Sequence, residues 1–309
     1  MDYRVYKLAF RGAVHFGKNS LEDGENTFCA DTLFSALCQE ALKKGTGMLE
    51  RLYQYAKSGE LLLSDAFPYI GDTYYLPKPI KRIETGGTNG DSVVKKAYKK
   101  LKYIPAEQLE IYLRGEYDVL VKQEIEKLGY FEMKTSAAVR GEGETLPYRV
   151  GCYYFNEGNG LYVIVGHENQ EVLRLVDELL EGIKFSGIGG KRMAGLGKFA
   201  LQSYEVPSYM ADRLGKNGEI YMTLSVSLPR DDELENVLET AEYLLCKRSG
   251  FVASDKYAGE QRRKRDLYVM KAGSCVKTRY RGAVYDVAEK GGSHSVYRYA
   301  KPMFMEVGE

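Results

Sequence analysis

The chain has 309 residues, enough for two ordinary domains with a core each. Lys plus Arg (44) nearly balance Asp plus Glu (43), so there is no global basic field and any polyanion must be held by local patches. Five cysteines (Cys29, Cys38, Cys152, Cys246, Cys275) lie scattered, with no CxxC pair and no clustered histidines, which argues against a disulfide framework and a zinc site. No apolar run approaches the roughly 18 residues that span a bilayer, and the start MDYRVYKLAF is a charged strand pattern, so a soluble cytoplasmic protein without membrane association or cofactor is expected.

Along the chain, residues 3–10 alternate as a strand, RGAVHFG follows as a turn, and residues 30–44 have helical spacing with Asp31 as the expected N-cap. Strands are predicted at 60–66, 73–76, 131–139, 149–155 and 161–165, the last two joined by the turn NEGNG. A helix over 170–182 and a strand over 198–205 complete this unit. Strands interleaved with two helices, with hairpins inside the sheet, predict an α+β ferredoxin-like domain over 1–207 rather than a wound parallel sheet. An insertion at 84–130 interrupts it, opening on TGGTNGDS and continuing as a charged helical stretch broken near Pro105. Residues 206–219 read as a linker. Beyond them, strands surround one helix at 232–242, so 216–309 is expected to be a diverged copy of the first domain.

The most informative stretch is SGIGGKRMAGLGKF at 186–199. Five glycines (Gly187, Gly189, Gly190, Gly195, Gly197) bracket Lys191 and Arg192. Such a loop predicts peptide N–H groups gathered into an anion site, with the two cations beside it, and the ligand it suggests is a nucleic-acid backbone. The order helix, glycine loop, strand fits neither a nucleotide P-loop nor a dinucleotide loop. The other reading is a soluble glycine-rich turn.

Residues 247–281 carry eleven Lys and Arg, Lys247 and Arg248 among them, against three acids, interleaved with Phe251, Tyr257, Tyr268 and Tyr280, a composition suited to single-stranded RNA. Lysines 95, 96, 99, 100 and 102 form a second basic cluster, with Lys95, Lys99 and Lys102 on one helical face, for which a solvated surface is the favoured reading. Residues 231–242 hold six acids and no base, a solvated face or a dock for a basic partner. Only three histidines exist, His15, His167 and His294, and no HExxH, triad or paired-carboxylate spacing accompanies them. His15 is therefore read as a structural or RNA-contacting residue, with general-base work as the alternative.

RGAVHFG, ADTLFSALC, FSGIGGKRMAGLGKF, AGSCVK, GAVYDVA and HSVYRYAKPMFMEV, in this order, resemble subunit four of the Csm complex, the type III-A CRISPR effector, within the RAMP superfamily. The resemblance runs end to end over two RRM-like domains. It implies a non-catalytic subunit that caps the crRNA at its 5′ handle and contacts the large polymerase-like subunit and the backbone RAMP subunit. It places Gly187, Gly189, Gly190, Lys191, Arg192, Gly195, Gly197 and Lys198 against RNA. Met193 and Ala194 depart from the small hydroxyl residues common in that loop. The segment TSAAVRGEGETLPYRVGCYYF resembles the superfamily's β-hairpin thumb, with Arg140 and Arg149 flanking its tip and Leu146 or Pro147 displacing a base. The alternative within the superfamily is a metal-independent crRNA-processing endoribonuclease using His15.

Overall fold

The structure, a computed structural model, describes every residue except 19, 84–91, 121–123, 139–145, 255–256, 259, 261 and 309. The N-terminal half begins with strand β1 (Asp2–Phe10) and two helices, α1 (Ala30–Lys44) and α2 (Thr46–Ser58), that meet at Gly45. Strands β2 (Leu61–Leu63), β3 (Phe67–Ile70) and β4 (Thr73–Pro77) follow. The insertion forms helix α3 (Ser92–Lys100), strand β5 (Tyr103–Pro105) and helix α4 (Leu109–Leu113), and leads into a long ribbon of β6 (Gly129–Ala138) and β7 (Leu146–Phe155). Strand β8 (Asn159–His167), helix α5 (Gln170–Ser186) and strand β9 (Phe199–Glu205) close the unit.

The sheet order is β9-β1-β8-β3-β4-β5, with β2 also on β8 and every pairing antiparallel. Read as βαβ-βαβ, with β2 and β3 as one bent strand, the order is 4-1-3-2, the ferredoxin-like topology that the sequence predicts. The charged stretch of the insertion is not one helix, because Tyr103–Pro105 is drawn out to pair with β4.

Period-two alternation in β1 puts Tyr6 and Leu8 under the helices, with Phe34, Leu37, Leu179 and Leu180, and turns Val5 to the opposite face. Helix α5 presents Val172, Val176, Leu179 and Ile183 inward, and Asn169 caps it by accepting from the N–H groups of Glu171 and Val172 at 3.0 Å each.

The second half contains α6 (Ser208–Ala211), β10 (Ile220–Thr223), α7 (Leu234–Leu238), β11 (Leu245–Arg248), β12 (Leu267–Met270), β13 (Cys275–Val276), β14 (Ala283–Asp286), β15 (Tyr297–Ala300) and β16 (Phe304–Gly308). Strand β10 lies between β16 and β13, Ser227 bridges Met270, and β11 pairs with β12, so a 4-1-3-2 order recurs. Its first helix is cut to one turn and a β14–β15 hairpin occupies the place of the second. Glu233, expected on an acidic helical face, instead accepts from the N–H groups of Arg281 and Gly282.

Residues 206–219 are not a free linker, since Met210 is fully buried between the halves. Val5, Tyr162 and Ile164 of the first sheet pack against Met222, Leu224, Met303 and Met305 of the second half, while Val226, Val269 and Tyr299 join the helix-side core.

Asp31 is not a cap. Cys29 occupies the N-cap position with no side-chain bond, and Asp65 reaches in to accept from Ala30 N at 2.8 Å and from Val226 N at 2.9 Å. Asp31, buried one residue into the helix, accepts a bidentate pair from Arg248 at 2.9 and 2.7 Å and a third bond from Arg298 at 3.0 Å. Burial opposes its charge, but the two guanidiniums win and hold its carboxyl below the usual range. Asp65, with no ion pair among the described residues, is pushed by burial up to about 7 despite its two N–H donors.

Candidate nucleic-acid interface

Helix α5 continues four residues beyond its predicted end and stops at Gly187, whose N–H donates to Ile183 O at 2.7 Å. The loop then doubles back on itself. Ile188 N donates to Gly197 O at 3.0 Å, Gly197 N to Ala13 O at 3.0 Å and Gly190 N to His15 O at 2.8 Å. Gly187 and Gly197 both have φ 79°, and a Cβ on Gly187 would stand 2.6 Å from Leu196 O while one on Gly197 would run into Ile188 O. These glycines are required by the loop's contact with itself and with the turn at 11–17.

Of the loop's N–H groups, those of Gly187, Ile188, Gly190, Ala194, Gly195 and Gly197 are bonded inside the protein and do not contribute to the predicted cradle. What the loop offers outward is a single turn over Arg192–Ala194. Lys191, at φ 54°, is the one non-glycine left-handed residue among the described residues, and Met193 at the summit is fully exposed. Such local strain persists only where the surroundings hold it. Lys191 Nζ lies 4.5 Å from the centre of the Tyr148 ring, and Arg192 donates to Gln39 Oε1. Lys198 is exposed beside them.

His15 is buried behind this turn. Its Nδ1 is 2.7 Å from Gly151 O, and because a carbonyl only accepts, that nitrogen carries the proton. Its ring fills the space above Gly190, where a Cβ would approach Cδ2 to 2.7 Å. His15 thus joins the turn, the loop and the hairpin.

The β6–β7 ribbon pairs from Gly129 with Phe155 to Ala138 with Leu146. Its root is fixed by the reciprocal bonds of Val14 and Tyr153, both 2.9 Å, and by Gly151 N to Leu21 O at 3.0 Å. Leu196 of the loop packs on Val150 and Cys152, with Tyr148 and Tyr154 alongside. Loop and ribbon root are consequently one ledge rather than two jaws. The alternation that turns Tyr148, Val150 and Cys152 to the loop turns Arg149, opposite Thr135, to the other face, so the structure separates Arg149 from Lys191. Arg140 and the ribbon's tip lie outside the described residues; Leu146 and Pro147 are exposed.

The basic stretch 247–281 does not form one face. Arg248, expected at the RNA surface, turns inward, and its guanidinium pairs with the buried carboxylate of Asp31. Lys247 pairs with Asp266 at 2.7 Å, Arg265 donates to Asp286 O at 2.6 Å, and burial lowers the Lys264 amine. Tyr257 and Tyr280 are buried, leaving Phe251, with Arg263 against its ring at 5.6 Å, and Tyr268 exposed. The open sheet face on which RRM domains stack bases is covered by Met222, Leu224, Met303 and Met305. Tyr148, which the sequence reading passed over, joins the site only through strand register.

A 4-1-3-2 antiparallel sheet, its repeat in the second half, and a glycine-rich loop after the second helix define an α+β protein built of two ferredoxin-like units. Residues 216–307 match the model of the CRISPR Csm4 C-terminal domain. The chain is 39% identical over 312 residues to the CRISPR system Cms protein Csm4 of Mycobacterium tuberculosis strain H37Rv, covering 100% of this chain and 99% of that one. It is 34% identical over 320 residues to the protein of the same description from Streptococcus thermophilus, covering 99% of both. The chain belongs to the Csm4 family. Its fold is shared with a chain of the Csm3–Csm4 subcomplex of the type III-A CRISPR-Cas interference complex (TM-score 0.66, 20% identity, 99% of each chain). A chain of the Csm1–Csm4 cassette in complex with cA4 also shares it (TM-score 0.62, 20% identity, 100% of each).

Proposed function

We propose that this chain is a non-catalytic, RNA-binding subunit of a type III-A CRISPR effector in the cytoplasm, holding the 5′ handle of the crRNA. Its protein partners in this reading are the large polymerase-like subunit and the backbone RAMP subunit, the counterparts of the proteins named with relatives of this fold. The observation that carries the RNA reading is the projecting turn Lys191–Arg192–Met193, standing on Tyr148 where the glycine loop joins the ribbon. Two cations, an aromatic ring and an unshielded apolar tip are the elements with which single-stranded RNA is gripped. His15 supports the non-catalytic reading through burial, since its ring lies behind the turn and is packed over Gly190.

The test is a salt titration of single-stranded RNA binding by the full chain and by Lys191→Ala/Arg192→Ala. Two lost phosphate contacts at about 0.7 each reduce the slope of log K against log salt by about 1.4. Unchanged affinity with an unchanged slope would remove the turn from the RNA path.

A further inference from the structure

The cations that the sequence makes prominent in 247–281 are largely consumed: Arg248 by Asp31, Lys247 by Asp266 and Lys264 by burial. Helix α3 and the two residues after it are the reverse; Lys102 lies past the helix end at Lys100, not on the helical face expected for it, because the chain is already turning into β5. Lys95, Lys96, Lys99, Lys100 and Lys102 are all exposed, and none forms an ion pair with any acid among the described residues. Lysines at 95 and 99, and at 96 and 100, are like-charge i,i+4 pairs, which oppose helix formation.

The helix is nonetheless held in place. Tyr98 and Leu101 pack with Tyr112 and Tyr117, Tyr98 OH donates to Tyr117 O at 2.5 Å, and Lys78 Nζ donates to Tyr98 O at 3.0 Å. Lys102 O accepts from Lys78 N at 2.9 Å, which ties the end of the cluster to the sheet. Four cations on an anchored helix and a fifth just past its end, none ion-paired among the described residues, mark a surface open to something outside the chain.

The chemistry selects the partner. Protein interfaces deplete Lys and depend on aromatic, Arg and apolar anchors, whereas the exposed residues of α3 among those described are all lysines. Lys acts instead as a point charge on phosphate, without regard to base sequence. Strand β5 beside α3 and strand β9 after the glycine loop are at opposite edges of the sheet, five strand spacings or roughly 24 Å apart.

We propose that the lysines of α3, with Lys102 just past its end, form a second, sequence-independent phosphate-binding site for an RNA strand, distinct from the loop and ribbon ledge. The experiment compares the full chain with Lys95→Gln/Lys99→Gln/Lys102→Gln, checked for folding by circular dichroism. The probe is a fluorescein-labelled oligouridylate of about 20 nucleotides, longer than the ~4–16 that one single-strand groove covers. Binding is followed by anisotropy through a salt series. The slope of log K against log salt falls by about 2, from three contacts at about 0.7 each, and this loss adds to that of Lys191→Ala/Arg192→Ala. A lowered slope in the α3 variant with no effect of the loop variant would uphold this site and sink the loop reading. An unchanged slope in the α3 variant overturns the proposal, and if that variant also fails to coelute with its protein partners, the face is a protein dock.

Discussion

Replacing Arg248 with Met tests whether this cation belongs to the fold or to a ligand. The side chain closes a bidentate pair on Asp31 at 2.7 and 2.9 Å and bonds Thr32 Oγ1 at 3.2 Å, joining β11 of the second half to α1 of the first. Removing one member of a buried pair costs roughly 3–5 kcal/mol, because a desolvated charge is left behind. Arg298 still donates one bond at 3.0 Å, so Arg248→Met should cost about 3 kcal/mol, the lower end of that range. That is a large share of the ~5–15 kcal/mol by which domains are stable. The chain has no Trp and 26 Tyr, so urea unfolding is followed by circular dichroism and tyrosine emission. High salt should leave the loss intact, since buried charges are poorly screened. The folded-state carboxyl of Asp31 lies below 3.8, so the pair's contribution is present above that pH and is lost as pH falls below it. The variant and the parent should converge there. RNA affinity per folded molecule should not change. A loss below about 0.5 kcal/mol, the range of surface substitutions, together with weakened RNA binding would refute the reasoning and return Arg248 to the interface.

Asp65→Asn should act oppositely with pH. The raised value of about 7, against an ordinary 3.8, means the folded chain holds a proton there that the unfolded chain has released, so stability from this group is full below about 3.8 and lost as pH rises through 7. Asn keeps an oxygen for Ala30 N and Val226 N, so the variant should gain on the parent by up to about 4 kcal/mol between pH 4 and pH 8; parallel stability curves would exclude the protonation. In cells carrying the His15→Ala chain at normal abundance, mature guide length should be unchanged, and unprocessed repeat RNA accumulating only in that strain would establish processing by this chain.

Much of the fold is legible locally because strand and helix periods are local properties. The alternation of β1, the apolar stripe of α5 and the hairpin turn NEGNG each name their element without knowledge of the rest. The acidic run at 231–242 misleads, since only Leu234–Leu238 is helical and Glu233 serves backbone N–H groups brought from residues 281 and 282.

The glycine spacing, the Lys-Arg pair, the two-unit plan and the family resemblance are properties of the sequence by itself, because each depends on residue type in order along the chain. Which charges are free is decided by the tertiary structure alone. Asp31 and Arg248 are 217 positions apart, and no pattern in either segment reveals that they meet. Lys191 and Tyr148, 43 positions apart, come together through the register of β7 and the backward fold of the loop. An ion pair is made by distance in space, and once it forms inside a core it removes from the surface the cations that composition counts most readily.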